Sequence, residues 1–407
     1  MIKIVHTSDW HAGKSNGRES RREDLQYSLN QIEQFIKEER VDFLLVCGDI
    51  FDKPSISPQD MLIIWNFFIN IKQYGTKSIA ITGNHDSKEF FNSMKSLLKL
   101  IDVYVFDRVS PEIKSSFVEF EKEQDGKICF FAFPYLNPNI PVDVYEKFSS
   151  SSYSEKYTDF VVRYLELASG YALNFSCPVI MLSHIAISEA KISGTEKEIS
   201  VRQDFCVPHA RVPQNFLYYA LGHIHKNQRV SNTKRMYYSG TLYQIDFGEE
   251  KDENKGFYFF TIKDGKIDKE PEFQRVSLKR KLKTYDFDLT NSNVNSIVQQ
   301  LSSSKDTLKR IFLYYKPEQK HLIPEIVSKI NNLEGIISIN FDEIDNKNEM
   351  QKDIDYSELS YMDIISLYEK FYSEVKGGDL DFFRNKIQPR IMKLIEEFEK
   401  SQMVEGA

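Results

Sequence analysis

The chain has 407 residues, 41% of them hydrophobic, including 22 Tyr and 30 Phe, so apolar surface for burial is plentiful. That length exceeds one compact core and predicts two or three domains. A formal net charge of −7 is unusual for a protein that grips nucleic acid by bulk electrostatics, so any such contact must come from local basic patches, metal ions or a partner.

Residues 2–8 form a short apolar strand that ends at Asp9. Residues 19–39 carry Leu25, Leu29, Ile32, Phe35 and Ile36 at helical spacing. The continuous apolar run 41–47, closed by Gly48-Asp49, suits a strand covered on both faces. Ser57-Pro58 starts a helix, with Ser as N-cap and Pro at the first helical position. A further strand at 77–82 ends at Gly83-Asn84. This alternation is that of a βαβ layer structure. More strands are predicted near 128–133, 179–183, 217–221, 235–239 and 257–262, with helix only at 155–170. The first domain, 1–275, is therefore expected to be α/β, with two sheets packed face to face and helices outside.

From 276 the pattern reads as a small α+β domain to 345, with strands at 284–289, 308–315 and 335–343 and helices at 291–303 and 319–333. A polar linker over 346–356 precedes a C-terminal helical pair within 357–407, at 360–375 and 379–400. The first of these opens on Ser360-x-x-Asp363, a capping-box-like start, and Pro389 kinks the second. The sequence holds no Walker-type phosphate loop, so any ATP hydrolysis belongs to another chain. Cys47, Cys129, Cys177 and Cys206 stand singly, as in a reducing compartment. The start of the chain lacks the apolar core of a signal peptide, and no apolar run nears the ~20 residues that span a bilayer. The expectation is a cytoplasmic protein without membrane contact.

Five groups carry the chemistry: Asp9-x-His11, Gly48-Asp49-x-x-Asp52, Gly83-Asn84-His85-Asp86, His184, and Gly222-His223-x-His225. Each follows or ends an apolar strand, and ligand sites in α/β sheets gather at the carboxyl ends of strands. Two divalent cations about 3.5–4 Å apart need a bridging carboxylate and a mixed oxygen and nitrogen environment. Asp49 is the natural bridge. Residues at i and i+2 of an extended segment point the same way, so Asp9 with His11, and His223 with His225, can each serve one ion. Asn84 adds a neutral amide oxygen. That mixture suits Mn²⁺ or Fe²⁺ better than Ca²⁺ or thiolate-bound Zn²⁺. His85 is assigned to the phosphate oxygens or the leaving oxygen. Asp52 is expected to orient His85 and keep it cationic. His6 is read as a strand residue beside the site, and His209 and His321 as surface histidines.

These motifs match the calcineurin-like metallophosphoesterases. The stretches Tyr219-Ala220-Leu221-Gly222-His223-Ile224-His225-Lys226-Asn227-Gln228, Tyr238-Ser239-Gly240-Thr241, Phe247-Gly248-Glu249 and Lys255-Gly256-Phe257 resemble bacterial SbcD-type nuclease subunits. So do the opening His6-Thr7-Ser8-Asp9-Trp10-His11-Ala12-Gly13-Lys14 and the segment Phe133-Pro134-Tyr135-Leu136. The resemblance implies a metallophosphoesterase sandwich with a capping, DNA-binding domain over 276–345. It implies Mn²⁺-dependent 3′→5′ double-strand exonuclease and single-strand endonuclease activity on DNA ends, in DNA repair. It also implies a homodimer and an SbcC-type coiled-coil ATPase as partner. Carried over residue by residue, it gives one Mn²⁺ to Asp9, His11, Asp49 and His225, and the other to Asp49, Asn84, His184 and His223. Asp52 stands where archaeal and eukaryotic relatives carry His, which favours the bacterial branch.

Further readings concern surfaces. The helix at 58–73 is apolar nearly all round; it is expected to form a dimer contact with the helix at 89–100 through Trp65, Phe68, Phe91 and Met94, the alternative being deep burial. Lys279, Arg280, Lys281 and Lys283, with Lys226, are candidates for phosphate-backbone contact, the alternative being a solvated linker. The C-terminal helices are expected to dock on the ATPase partner. The competing functions are a phosphatase or nucleotide phosphodiesterase of the same superfamily, and an inactive scaffold. Protein phosphatases of this kind carry Arg at the positions held here by Lys53 and Thr82, and without those arginines a phosphomonoester dianion is poorly held.

Overall fold

The computed structural model describes residues 1–122, 125–137, 153–192, 205–344, 380 and 383–391. Met1–Glu343 form one compact unit and Ile344–Ala407 a second. The linker and most of the two helices expected after 345 lie outside the described residues.

The first unit is built on two mixed sheets. In the first, β1 (Ile2–Thr7), β4 (Phe43–Cys47), β5 (Lys77–Ile81) and β6 (Val103–Phe106) run parallel in that order. The late strand β13 (Gly256–Lys263) closes the other side of β1 antiparallel and pairs with the short β14 (Lys266–Ile267); β2 (Ser15–Asn16) and β3 (Glu19–Ser20) form a small hairpin after β1. In the second sheet, β8 (Gly126–Phe133), β9 (Val179–His184), β10 (Tyr218–Gly222) and β12 (Met236–Tyr238) are parallel. An antiparallel β7 (Phe117–Lys122) flanks β8, and β11 (Gln228–Arg229) flanks β12.

The two sheets pack face to face. Alternate residues of β4 explain the unbroken apolar run: Phe43, Leu45 and Cys47 join the core between the sheets, with Phe130, Leu182 and Ala220 opposite. Leu44 and Val46 face the other way, under Leu25, Leu29, Ile32 and Ile36 of α1 (Arg22–Glu39) and Ile64 and Phe67 of α2 (Pro58–Gln73). On the far face of the second sheet, Phe131, Met181 and Leu221 lie under Val161, Leu165 and Ala168 of α4 (Tyr153–Ala172). The result is four layers, helix, sheet, sheet, helix, each sheet buried on both faces.

As expected from Ser57-Pro58, α2 starts with the Ser57 side chain accepting from the Asp60 amide and Pro58 in the first turn. Its near-uniform apolarity has a reason other than the one expected. Phe68 is 1% exposed and packs against Trp10; Phe91, on α3 (Lys88–Leu100), is likewise 1% exposed. Both belong to the core of this chain, with Trp65 and Met94 partly buried against it, so Phe68 and Phe91 offer nothing to a second copy. The apolar side chains that do reach solvent here are Leu62, Ile69, Leu97 and Leu100.

After β15 (Glu272–Arg275), which pairs with β13, the chain enters a three-stranded parallel sheet: β16 (Lys281–Asp288), β17 (Thr307–Tyr315) and β18 (Ile336–Glu343). The crossover helices α5 (Val294–Ser303) and α6 (Ile323–Ile330) give this small unit its own core of Tyr285, Phe287, Ile311, Leu313, Ile297 and Ile326. On its other face Leu282 and Leu308 pack with Phe247, and the Arg310 guanidinium lies 4.5 Å from the Phe247 ring. Among the described residues, no helix is long and apolar enough to cross a membrane.

Candidate metal centre

Every strand that carries a motif points its carboxyl end at one place. Asp9 and His11 follow β1, Asp49 and Asp52 follow β4, and Asn84 and His85 follow β5, all on the first sheet. His184 ends β9, and His223 and His225 follow β10, on the second. The loops after β1 and β4 stay paired beyond the sheet: His11 donates its amide to the Asp49 carbonyl at 2.9 Å and Ala12 to that of Ile50 at 2.9 Å. The backbone there is contorted. Asp9, His11, Asp49 and His223 all have positive φ, at 53°, 46°, 51° and 96°. Such residues cost about 1–3 kcal/mol each and persist only where the surroundings fix them. The glycines of the motifs allow the close approach: a Cβ on Gly83 would lie 2.1 Å from Asp49 Oδ1, and one on Gly222 would lie 1.8 Å from the Cys47 carbonyl oxygen.

The side chains converge in two groups that share Asp49. Ligand atoms of Asp9, His11 and His225 all lie within 4.8 Å of one another. Asn84 Oδ1 sits 3.0 Å from His184 Nε2 and 3.0 Å from His223 Nδ1. Asp49 Oδ2 lies between the groups, 3.8 Å from His11 Nε2 and 3.4 Å from His184 Nε2. All of these are buried except Asn84, which is half-buried. The Nε2 of His11 is buried without a hydrogen-bond partner. An unsatisfied imidazole beside carboxylates is costly unless a cation accepts its lone pair. Seven donors, three carboxylate or amide residues and four imidazoles, therefore fit a pair of divalent cations.

The electrostatics agree with that fit. Burial would raise the Asp49 carboxyl, but the charge of His184, with His85 and His11, holds it well below the usual carboxylate range. Burial would lower His184, yet Asp49 and Asp9 raise it to about 9. These opposed shifts are those of a site that collects negative charge around imidazoles.

His85 is half-buried, whereas the candidate ligand histidines are buried. Its amide donates to Asp49 Oδ1 at 2.8 Å, and its Nδ1 lies 2.8 Å from the backbone carbonyl oxygen of Asp52. The orienting residue is thus the expected one, through a different atom. The Asp52 carboxylate instead lies 3.3 Å from His11 Nδ1 and 3.4 Å from Lys14 Nζ. Against the effect of burial, His11 and Lys14 lower Asp52 to about 2.

Several contributors had no role in the sequence reading. Asp86 accepts from the amides of Gly83 at 2.8 Å, Ile50 at 3.2 Å and Phe51 at 2.9 Å, so it ties the third motif loop to the second. Tyr135 places its ring centroid 6.1 Å from His184 and 6.2 Å from His223. Glu249 lies 2.8 Å from His225 Nδ1. Asp86 was within reach of a pattern search, as the residue after His85; Tyr135 and Glu249 lie in stretches that carry the family resemblance, but only the fold shows which histidines they meet. His6 lies between the sheets, bonded to Tyr218 Oη at 2.9 Å. Burial drops it to about 3, so it is neutral.

The basic candidates lie elsewhere and are largely engaged. Lys279 pairs with Glu23 at 2.7 Å, Arg280 with Asp24 at 2.6 Å and Lys281 with Glu253 at 2.8 Å. Lys283 is exposed and rests 4.9 Å from the Tyr285 ring centroid; Lys226 is exposed.

A family model described as calcineurin-like phosphoesterase matches residues 2–227. The chain belongs to the calcineurin-like phosphoesterase family. The matched span contains all seven candidate ligands and His85. Among solved structures, a dimetal phosphatase from Danio rerio is similar at 12% identity and a TM-score of 0.39, covering 67% of this chain and 98% of that one. A calcineurin-like phosphoesterase hydrolyses a phosphoester with divalent metal, and that is the class of chemistry assigned to this site.

Proposed function

We propose that the chain is a two-metal phosphodiesterase acting on DNA, a Mn²⁺-dependent nuclease of the SbcD type with 3′→5′ exonuclease activity on duplex ends and endonuclease activity on single strands. One observation carries the choice of diester over monoester. The positions where protein phosphatases of this superfamily hold arginine are occupied by Lys53, which is exposed, and by Thr82, which is buried and donates its hydroxyl to the Asp107 carbonyl at 2.8 Å. No guanidinium stands at either position to hold a phosphomonoester dianion. The singly charged diester needs no such clamp.

One ion would be held by Asp9, His11, Asp49 and His225, and the other by Asp49, Asn84, His184 and His223. Two cations there would supply charge neutralisation at the phosphate and a water acidic enough to attack at neutral pH. The protein does the rest. His85, half-buried with its Nδ1 anchored on the Asp52 carbonyl, would act through its imidazole on a phosphate oxygen or on the departing 3′ or 5′ oxygen. Buried Asp49 keeps its charge and holds the His85 amide, which fixes the histidine relative to the ligands. The reading extends to a homodimer and to a coiled-coil ATPase partner of the SbcC type docked on the C-terminal helical pair within 357–407.

Linear duplex DNA and p-nitrophenyl phosphate, each with Mn²⁺, separate the possibilities. Degradation of the duplex with weak turnover of the monoester is the expected result. Efficient hydrolysis of the monoester with intact DNA would assign a phosphatase, and no turnover of either would assign a scaffold.

A further inference from the structure

Behind the candidate ligand His225 lies a buried carboxylate that the reaction does not touch. Glu249, 1% exposed, stands in the short turn Phe247–Glu249, 24 residues beyond the histidine. Its two oxygens divide their partners. Oε2 accepts from Lys255 Nζ at 2.7 Å, Thr241 Oγ1 at 3.2 Å and the Ile245 amide at 3.2 Å. Oε1 lies 2.8 Å from His225 Nδ1. The turn itself is held in place by Gln244, whose Nε2 donates to the Glu249 carbonyl at 3.1 Å and the Glu250 carbonyl at 2.8 Å. The Gln244 Oε1 accepts the Leu282 amide at 2.7 Å, on the first strand of the three-stranded sheet.

A buried Lys–Glu pair is weak evidence of a stabilising role, because desolvation offsets much of the attraction. Its position is better explained by what it does to the imidazole. An ionised carboxylate can only accept, so the proton of His225 must sit on Nδ1. With Nδ1 turned to Glu249, Nε2 is the ring atom that can serve the group His225 forms with Asp9 and His11. We propose that Glu249 is the positioning residue of His225: it fixes the ring and its tautomer so that Nε2 is the metal-binding atom. Lys255 balances the charge of Glu249, and Gln244 sets the height of the turn. The proposal depends on the metal centre and not on the nature of the substrate.

Two measurements on the full chain test it, and neither uses DNA. In metal-free protein labelled with ¹⁵N-histidine, the His225 resonance, assigned with His225→Gln, is expected to show the Nδ1–H tautomer. In calorimetric Mn²⁺ titrations, Glu249→Gln is expected to weaken one of the two ions about 10–100-fold and leave the other within about threefold. Lys255→Met breaks the same ion pair but spares the contact to Nδ1. It is expected to lower the melting temperature without that selective loss. An Nε2–H tautomer in the wild-type protein overturns the proposal. So does a Glu249→Gln protein with two unaltered ions or two equally weakened ones, or a Lys255→Met protein with the same selective loss. If Glu249→Gln does not fold, the wild-type tautomer decides alone.

Discussion

At the scale of single residues, two neighbours in the site separate cleanly. His85 is held by main-chain groups, the Asp52 carbonyl and its own amide on Asp49, and is not among the seven candidate ligands. His85→Ala should therefore bind Mn²⁺ as the wild type does while kcat on linear duplex falls about 10²–10⁴-fold, the usual worth of a placed acid or base. Weakened ion binding in that variant would instead make His85 a ligand. Asp52→Asn leaves the main-chain carbonyl in place and changes only the carboxylate beside His11 and Lys14. It should lower Mn²⁺ affinity by about tenfold or more through His11 and leave the pH profile of cleavage unchanged. A shifted profile with normal affinity would show that the carboxylate, after all, tunes His85.

Acid stability follows from the same residues. The lysine and histidine around Glu249 outweigh its burial and hold it below the ordinary carboxylate range, while Asp52 sits at about 2. Between the unfolded and folded values the unfolded chain binds more protons, so stability rises with pH in that window. The contribution is complete above about pH 4.5, where unfolded carboxylates are ionised, and is lost as pH falls toward 2. Melting curves of the metal-free protein from pH 6 to 2.5 should show Glu249→Gln losing less on acidification than the wild type. Parallel curves would count against a depressed Glu249.

At the scale of elements, the strands and helices were legible because their signals are local. An apolar run such as 43–47 or a stripe such as Leu25, Leu29, Ile32 and Ile36 reports its own burial. The site was half-legible. Its ligands follow strands and could be picked out in order, but positive φ at Asp9, His11, Asp49 and His223 has no sequence signature apart from the glycines before Asp49 and His223. Nor could sequence show that a carbonyl, rather than a carboxylate, holds His85, or that Glu249 returns to His225 across two intervening strands. The same limit explains α2. Composition told that the helix is apolar all round, whereas which flank meets core and which meets solvent depends on α1 and α3 beside it. Phe68→Asp should accordingly destabilise the fold by about 3–5 kcal/mol or more, read from denaturant unfolding, because it buries a charge where a ring packs. A folded protein with altered oligomeric state would restore Phe68 to an interface.

At the scale of the whole molecule, the proposed DNA substrate would have to be held by a chain whose net charge is −7. The cluster at 279–281 has its charge spent on Glu23, Asp24 and Glu253, where it fastens the three-stranded sheet to the rest of the first unit. Exposed Lys226 and Lys283 are the freer cations for phosphate contact. Replacing both by alanine should reduce the slope of log affinity against log salt by about 1–2 for duplex DNA. Replacing 279–281 should chiefly lower the melting temperature. An unchanged slope in the first variant, with a large change in the second, would return the DNA contact to the paired cluster.

The convergence of ligands from both sheets has a consequence for how the protein is assembled. Asp9, Asp49 and Asn84 hang from one sheet and His184, His223 and His225 from the other, so neither half can complete a coordination sphere by itself. Ion uptake then acts as a clasp across the sandwich: it rewards only the docked arrangement, by about 2.7 kcal/mol per site at a hundredfold excess over the dissociation constant. A nascent chain that ends before residue 223 would have no finished clasp, and a chelator should loosen the seam between the sheets before it loosens either sheet.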